Sequence, residues 1–124
     1  MVLENKKAQK LINKIIEELN TTGIQAEKQV ENLKNLRVHA VEEKLPVVAK
    51  AIRLTYEHLE EYETFVAPIP QEEILDDDGE AVEQEKITGS DSLIYLMDLI
   101  KHSDNKLNLS EIREYNTYLE EFSI

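Results

Sequence analysis

Apolar residues recur at spacings of three and four along most of this chain, which is the pattern of amphipathic helices. The first stripe runs from Leu3 to Leu19, with lysines and glutamates filling the opposite side. Further stripes continue to Phe65, and after an interruption the pattern returns between Leu93 and Phe122. The fold class predicted is all-α, a helical bundle of four to five helices at about residues 3–20, 24–44, 46–66, 91–102 and 109–122. At 124 residues the chain has the size of one domain, so a single helical domain is expected.

Turn and capping residues indicate where the helices begin and end. Gly23 favours the left-handed conformation that ends a helix, and Thr22 with Gln25 matches a capping box for the second helix. The run from Leu93 to Ile100 is apolar around nearly its whole circumference, so the fourth helix is expected to be the most buried. The expected N-terminal caps of the last two helices are Ser90 or Asp91 and Asn108 or Ser110.

Pro46 lies between the second and third apolar stripes. A proline inside a helix removes a hydrogen bond and disfavours helical geometry at the preceding residue, which argues for a break. Against a break, Leu45 is a poor N-cap, and Glu42 and Glu43 have the wrong sign for a helix C-terminus. Two interpretations therefore stay open: one helix kinked at Pro46, or two separate helices.

Residues 68–90 are predicted to form a long acidic loop. Pro68 and Pro70 favour extended backbone, and no helical period follows until Ser90. A loop of this length inside a compact domain is usually either disordered or functional. A short hairpin turning at Asp78–Gly79 is an alternative, although the flanking residues alternate poorly.

The charge of the chain is strongly uneven. Residues 1–53 hold ten Lys/Arg against seven Asp/Glu (+3), and residues 54–124 hold four against nineteen (−15). Between Arg53 and Lys86, 32 residues contain 12 carboxylates and no cation. Such a field disfavours nucleic acid and membrane surfaces and favours basic partners. Ordinary loops mix both signs, so the loop is the expected partner-binding surface. Its candidate residues are Glu72, Glu73, Asp76, Asp77, Asp78, Glu80, Glu83 and Glu85.

A calcium site is the strongest metal hypothesis for this loop. With Gly79 at the sixth position of an EF-hand loop, Asp76, Asp78 and Glu85 fall at the third, fifth and twelfth positions, where carboxylates are the right ligands. The first position is then Ile74, where a carboxylate is required. These three acids are therefore weak metal candidates, and no resident metal or cofactor is expected.

No catalytic signature accompanies the acidic block. The chain has no cysteine, and its three glycines are too far apart for a phosphate-binding loop. None of His39, His58 and His102 follows a glutamate at the spacing that di-iron bundles use, so all three are expected to be exposed or at helix ends. No stretch reaches the roughly 20 apolar residues that span a bilayer. A cytoplasmic protein without enzymatic activity is the expectation.

Three functions are compatible with these patterns. The first is a small helical interaction or adaptor protein that binds a protein partner or itself, a homodimer being able to set the basic first half of one subunit against the acidic half of the other. The second is an immunity-type inhibitor that neutralises a basic nuclease or nucleic-acid-binding protein by presenting carboxylates in place of phosphates. The third is a divalent-cation-dependent module that uses the acidic loop.

One short segment bears on the second hypothesis. The seven residues Gly89–Tyr95 resemble the segment that leads into the toxin-contacting helix of colicin DNase immunity proteins, which are also acidic and helical. The likeness contains an inserted serine and extends to nothing else. Leu96 stands where that family has the second tyrosine of a Tyr-Tyr pair, which puts the toxin contact in doubt.

Overall fold

The computed structural model describes residues 5–71 and 74–122. These residues form five α-helices joined by three short turns and one long loop, which confirms the predicted all-α bundle. Among them there is no β-strand, only one isolated bridge between Leu75 and Ala81. The helices are α1 (Lys6–Thr22), α2 (Ala26–Glu42), α3 (Pro46–Tyr62), α4 (Ser90–Lys101) and α5 (Lys106–Glu121).

The helices pack in a closed ring around one hydrophobic core. Following the ring, α1 packs on α2, α2 on α3, α3 on α5, α5 on α4, and α4 on α1. Each helix turns its apolar stripe inward, as in a helical bundle. Helix α4 exposes only Asp91 and Asp98, so it is deeply buried as the sequence predicts. The long loop therefore connects two helices, α3 and α4, that are separated in the ring by α5.

Asparagine caps begin two of the helices, and neither cap was expected from the sequence. The Asn5 side chain accepts hydrogen bonds from the backbone N–H groups of Lys7 and Ala8 at the start of α1. Asn105 does the same for Leu107 and Asn108, so α5 begins three residues earlier than expected and the caps proposed at Asn108 and Ser110 are wrong. Asn is a preferred N-cap residue, and Asn105 was overlooked because no apolar stripe precedes Leu107.

The other two expected caps are also wrong. Thr22 belongs to the last turn of α1, where its hydroxyl donates to the Glu18 carbonyl, so it forms no capping box with Gln25. The buried Gln29 accepts from the Gln25 backbone instead, at 2.6 Å. Helix α4 follows Gly89, whose φ of 74° favours glycine, and not Ser90 or Asp91.

Helices α2 and α3 are separate, which decides the question that Pro46 left open. Helix α2 ends in a Schellman motif: the Leu45 N–H donates to the Ala40 carbonyl and the Lys44 N–H to the Val41 carbonyl. Lys44 takes the left-handed position (φ 59°) that glycine usually fills, so the usual sequence signal is missing. Pro46 is the first residue of α3, where a missing N–H costs nothing.

Helix α3 is shorter than its apolar stripe. It ends at Tyr62 because Glu63 adopts a left-handed conformation (φ 57°), whereas the stripe predicted helix to residue 66. Phe65 lies beyond the helix end and is fully buried, with its ring stacked on Tyr115 at a centroid distance of 6.0 Å. The apolar pattern therefore marked burial correctly at Phe65 but not helical backbone.

Two buried hydroxyl groups in the core have opposite surroundings. Thr55 is fully buried and its Oγ1 makes no hydrogen bond within the described residues. The Ser92 Oγ is equally buried and donates to the Ala67 carbonyl at 2.6 Å.

We expect Thr55→Val to raise the free energy of unfolding by about 1 kcal/mol, and Ser92→Ala to lower it by about 1–3 kcal/mol because a buried carbonyl loses its donor. Urea denaturation of both variants measures this, and changes of the same sign would contradict it.

Candidate functional site: an acidic arm and a basic groove

The long loop folds back on itself as a paired arm. We call residues 69–87 the arm; Glu72 and Glu73, two of the predicted partner-binding residues, lie outside the described residues. The Ile69 N–H donates to the Ile87 carbonyl at 2.9 Å, and the Val82 N–H donates to the Ile74 carbonyl at 2.7 Å. Both pairs and the Leu75–Ala81 bridge keep one antiparallel register. The segment is a loop, as predicted, with a hairpin-like turn at its tip but no β-strand among the described residues.

Asp76 forms the turn of the arm. Its Oδ1 accepts hydrogen bonds from the backbone N–H groups of Asp78 and Glu80, each at 2.9 Å. The Asp76 N–H also donates to the Glu80 carbonyl, which closes the turn around Gly79 at φ 81°. An aspartate that accepts from the backbone two residues ahead is a standard turn device. Asp76 therefore has a structural role, and Asp77 and Asp78 stand exposed at the tip.

A cluster of buried hydrogen bonds holds the base of the arm, and we call it the root clasp. The Gly89 N–H donates to the Phe65 carbonyl at 2.7 Å, which brings the two ends of the loop together. The Ser92 hydroxyl donates to the Ala67 carbonyl and lies 2.9 Å from the Tyr115 hydroxyl. The clasp thus joins the loop to α4 and α5 at once.

His58 completes the root clasp from α3. It is 5% exposed, so the expectation of a surface histidine is wrong for this residue. Its Nε2 accepts the backbone N–H of Val66 at 3.3 Å, and its ring lies 4.7 Å from Tyr62 and 5.2 Å from Phe122 between centroids. Burial lowers the pKa of His58, and the nearby Glu61 carboxylate opposes this only in part. The clasp therefore depends on a neutral imidazole as acceptor.

The arm exposes apolar and acidic side chains together. Leu75 is 59% exposed and Ile74 is 54% exposed, and Val82 and Ile87 are also open to solvent. The arm carboxylates form no ion pair within residues 5–71 and 74–122. All six predicted partner-binding acids that are described, namely Asp76, Asp77, Asp78, Glu80, Glu83 and Glu85, are exposed.

A basic groove that the sequence analysis did not identify lies at the turn between α2 and α3. This elbow groove has a volume of about 580 Å³ and its walls contain four cations and no acid. A smaller pocket of about 280 Å³ shares Lys44, Leu45 and Pro46 with it and extends to Arg113 of α5. The elbow groove is lined by Arg37, Val41, Lys44, Leu45, Pro46, Ala49, Lys50 and Arg53.

The cations of the elbow groove differ in how they are held. Lys50 pairs with Glu120 and Arg53 with Glu57, while the Arg37 Nε donates to the Ala49 carbonyl at 3.3 Å. Lys44 of the groove, and Arg113 of the smaller pocket beside it, form no ion pair with any residue that the structure describes. The groove therefore keeps uncompensated positive charge in a protein whose formal net charge is −12.

The sequence held one signal for this groove. Residues 1–53 are net basic, and Arg37, Lys44, Lys50 and Arg53 recur around Pro46. Their meeting depends on the sharp turn at Lys44, and Arg113 joins them from the acidic half of the chain through the packing of α5 on α3. Neither contact can be read from spacing.

The three calcium candidates do not form a cation cage. Asp76 is engaged with the backbone of its own turn, and Glu85 lies far down the arm, with its carbonyl accepting from the Gln71 side chain. Within the described ranges no three His, Asp or Glu side chains are close enough to share a metal ion.

Comparisons of the chain with protein-family models, with curated proteins and with solved structures found no match. No helix in the described part of the chain is long and apolar enough to cross a membrane. The function therefore has to be inferred from the residues and geometry of the arm and the elbow groove.

His58 should make the stability of the protein depend on pH. Its folded pKa lies below the ordinary 6.5, so the unfolded chain binds the proton more readily. The stability that neutral His58 supplies is fully present above about pH 6.5 and is lost as the pH falls toward the folded pKa. We expect the free energy of unfolding to fall from about pH 7.5 to about pH 5.5, and His58→Gln, which keeps an acceptor without titrating, to flatten this fall. Urea denaturation at both pH values measures it.

The exposed His102 supplies the matched control. His102→Gln should leave the pH dependence of the wild-type protein in place, because this side chain is 59% exposed. If both histidine variants flattened the pH dependence of the free energy of unfolding equally, His58 would not be its specific cause.

Proposed function

We propose that this protein is a helical interaction module that presents its acidic arm to a protein partner with basic and apolar surface. The observation that carries the proposal is the composition of the arm: four of the seven large apolar residues that are exposed in the described structure lie on it, among carboxylates without cationic partners. Exposed apolar patches on monomers commonly mark interaction sites.

The structure of the arm supports this use. Leu75 and Ala81 are opposed across the bridge, and Ile74 and Val82 are opposed next to them, so apolar residues point to both faces of the arm. A partner that covered them would gain a free energy of about 1 kcal/mol for each half-exposed side chain. The carboxylates would steer the encounter toward basic partners and oppose acidic ones.

The root clasp supports it further. An arm held at its base by buried hydrogen bonds loses less conformational entropy on binding than an unanchored loop of the same length. The hydrogen bonds of Ser92 and His58 hold Ala67 and Val66, the loop residues just before the arm, against the bundle, which restricts the directions that the arm can take. This is the arrangement expected of a recognition loop on a rigid scaffold.

An immunity-type inhibitor would use the same surface. Its partner would be a nuclease or another nucleic-acid-binding protein, whereas an adaptor would bind other protein classes, so the class of the partner separates the two functions. A cation-dependent module would lose its binding when a chelator removes calcium and magnesium.

Affinity capture from native cell extract tests the proposal with two variants of equal net charge. The variant Asp77→Lys/Glu83→Lys reverses the charge of two arm residues whose side chains take no part in the turn. The control variant Glu17→Lys/Glu31→Lys reverses the charge of two exposed acids, one on α1 and one on α2. We expect the arm variant to capture the partner roughly tenfold less and the helix variant to capture it like the wild type, because only the arm charges meet the partner. Quantitative mass spectrometry of the captured proteins measures this.

A variant without the arm supplies the control for geometry. Because Ile69 and Ile87 are hydrogen-bonded, residues 70–86 can be replaced by an Asn-Gly turn that closes the loop at its base. Its far-UV circular dichroism should retain the helical signal of the bundle, while partner capture is lost. Equal capture by the wild type and this variant would show that the arm is not the interaction surface.

A further inference from the structure

We infer that the partner of the arm is a second copy of this chain, whose elbow groove receives it. The inference rests on the proposed function of the arm and names its partner. The elbow groove has the chemistry that the arm lacks: it is basic, and it has an apolar floor of Leu45, Pro46 and Ala49.

Exposed apolar residues occur on both of these surfaces of opposite charge. On the arm, Ile74, Leu75 and Val82 stand among carboxylates. At the elbow, Val41 is 52% exposed and lines the groove together with Arg37 and Lys44. An acidic apolar surface and a basic apolar surface on one molecule are complementary to each other, so two copies can cover both.

The size and charge of the groove fit this occupant. A volume of about 580 Å³ accommodates several side chains rather than a whole domain, as the narrow tip of an arm requires. Lys44 and Arg113, which have no ion-pair partner among the described residues, can pair with the carboxylates of the incoming arm. The partly buried hydrogen bond from the Arg37 side chain to the Ala49 carbonyl holds one wall of the groove in place.

Other pairings are less favourable. Two arms set edge to edge would oppose like charges, which is how acidic edges prevent strand-to-strand association. The arm of the same chain does not line its own elbow groove: Pro70 and Gln71 lie against the opposite flank of α5, by Leu107 and Glu114. The net charge of −12 repels two copies over distance, so the local pairing of opposite charges must provide the attraction.

Charge reversal on each surface tests the inference. Asp77→Lys/Glu83→Lys replaces two of the eight arm carboxylates by lysine and lowers the formal charge of residues 69–87 from −7 to −3. Lys44→Glu/Arg113→Glu replaces the two elbow cations that form no ion pair among the described residues by acids. Sedimentation equilibrium of the purified full chain measures the result at about 0.15 M salt, where long-range repulsion is screened, and at about 1 M, where contact pairs also weaken.

The wild type should show a weight-average mass that rises above the 14.4 kDa of one chain with concentration, and this rise should shrink at the higher salt. Each reversed variant alone should associate at least about tenfold more weakly than the wild type, since the reversed side chains then meet unchanged charges of their own sign. An equimolar mixture of the two variants should associate more strongly than either variant alone, because the new lysines on one arm can pair with the new glutamates at the other elbow.

Three results would overturn the inference. These are a wild type that stays at one chain mass up to millimolar concentration, association as strong as that of the wild type in both reversed variants, and a mixture that associates no more strongly than either variant alone. Circular dichroism checks that each variant is folded. A reversed variant that does not fold is replaced by its neutral counterpart, Asp77→Asn/Glu83→Gln or Lys44→Gln/Arg113→Gln. The neutral variants should weaken association, and mixing them should not restore it. A monomeric wild type would leave arm-dependent capture from extract intact, so failure here is distinct from failure of the proposed function.

Discussion

The position of the arm depends on the buried hydrogen bonds of the root clasp. A loop that leaves α3 and returns at α4 would need no fixed path if only its ends were held. Here the Ala67 carbonyl accepts from Ser92, the Val66 N–H donates to His58, and the Phe65 ring packs on Tyr115, so the loop is held by three helices. Burial raises the pKa of Tyr115, which keeps its hydroxyl protonated as a donor within the cluster. The acidic segment is thereby held as a directed arm.

The sequence predicted the helices well because apolar periodicity reports burial, and burial decides where helices pack. It failed where the backbone departs from the usual residue preferences. Lys44 and Glu63 end helices in the left-handed conformation that glycine normally fills, and Asn105 caps α5 in a segment without apolar period. His58 was expected to be exposed or at a helix end because it lacks the spacing of a metal-binding histidine, whereas its neighbours in space, Tyr62 and Phe122, bury it.

Of the two parts of the candidate site, the acidic arm could be predicted from the sequence and the elbow groove could not. The acidic block is recognisable by its length and by its single sign of charge, and its described acids are all exposed as expected. The elbow groove could not be derived, because it requires that Pro46 begin a new helix. The smaller pocket beside it further requires that α5 bring Arg113 across from the acidic half of the chain. A formal charge of +3 for residues 1–53 conceals this local concentration of cations, since the lysines of α1 contribute to the sum without contributing to the groove. Folding thus brings cations together at the elbow, whereas the sequence shows only the net charge of a long segment.

The contact between the arm of one copy and the elbow groove of another can be measured directly because the chain has no cysteine. A preparation with Val82→Cys on the arm is mixed with one that carries Val41→Cys in the groove, and the mixture is oxidised mildly. The account predicts more mixed disulfide than random pairing gives, with the excess lost at high salt, and no excess when Glu17→Cys on α1 replaces the groove cysteine. A mixed disulfide that never exceeds random pairing, in a folded protein at millimolar concentration, would contradict the contact between arm and groove.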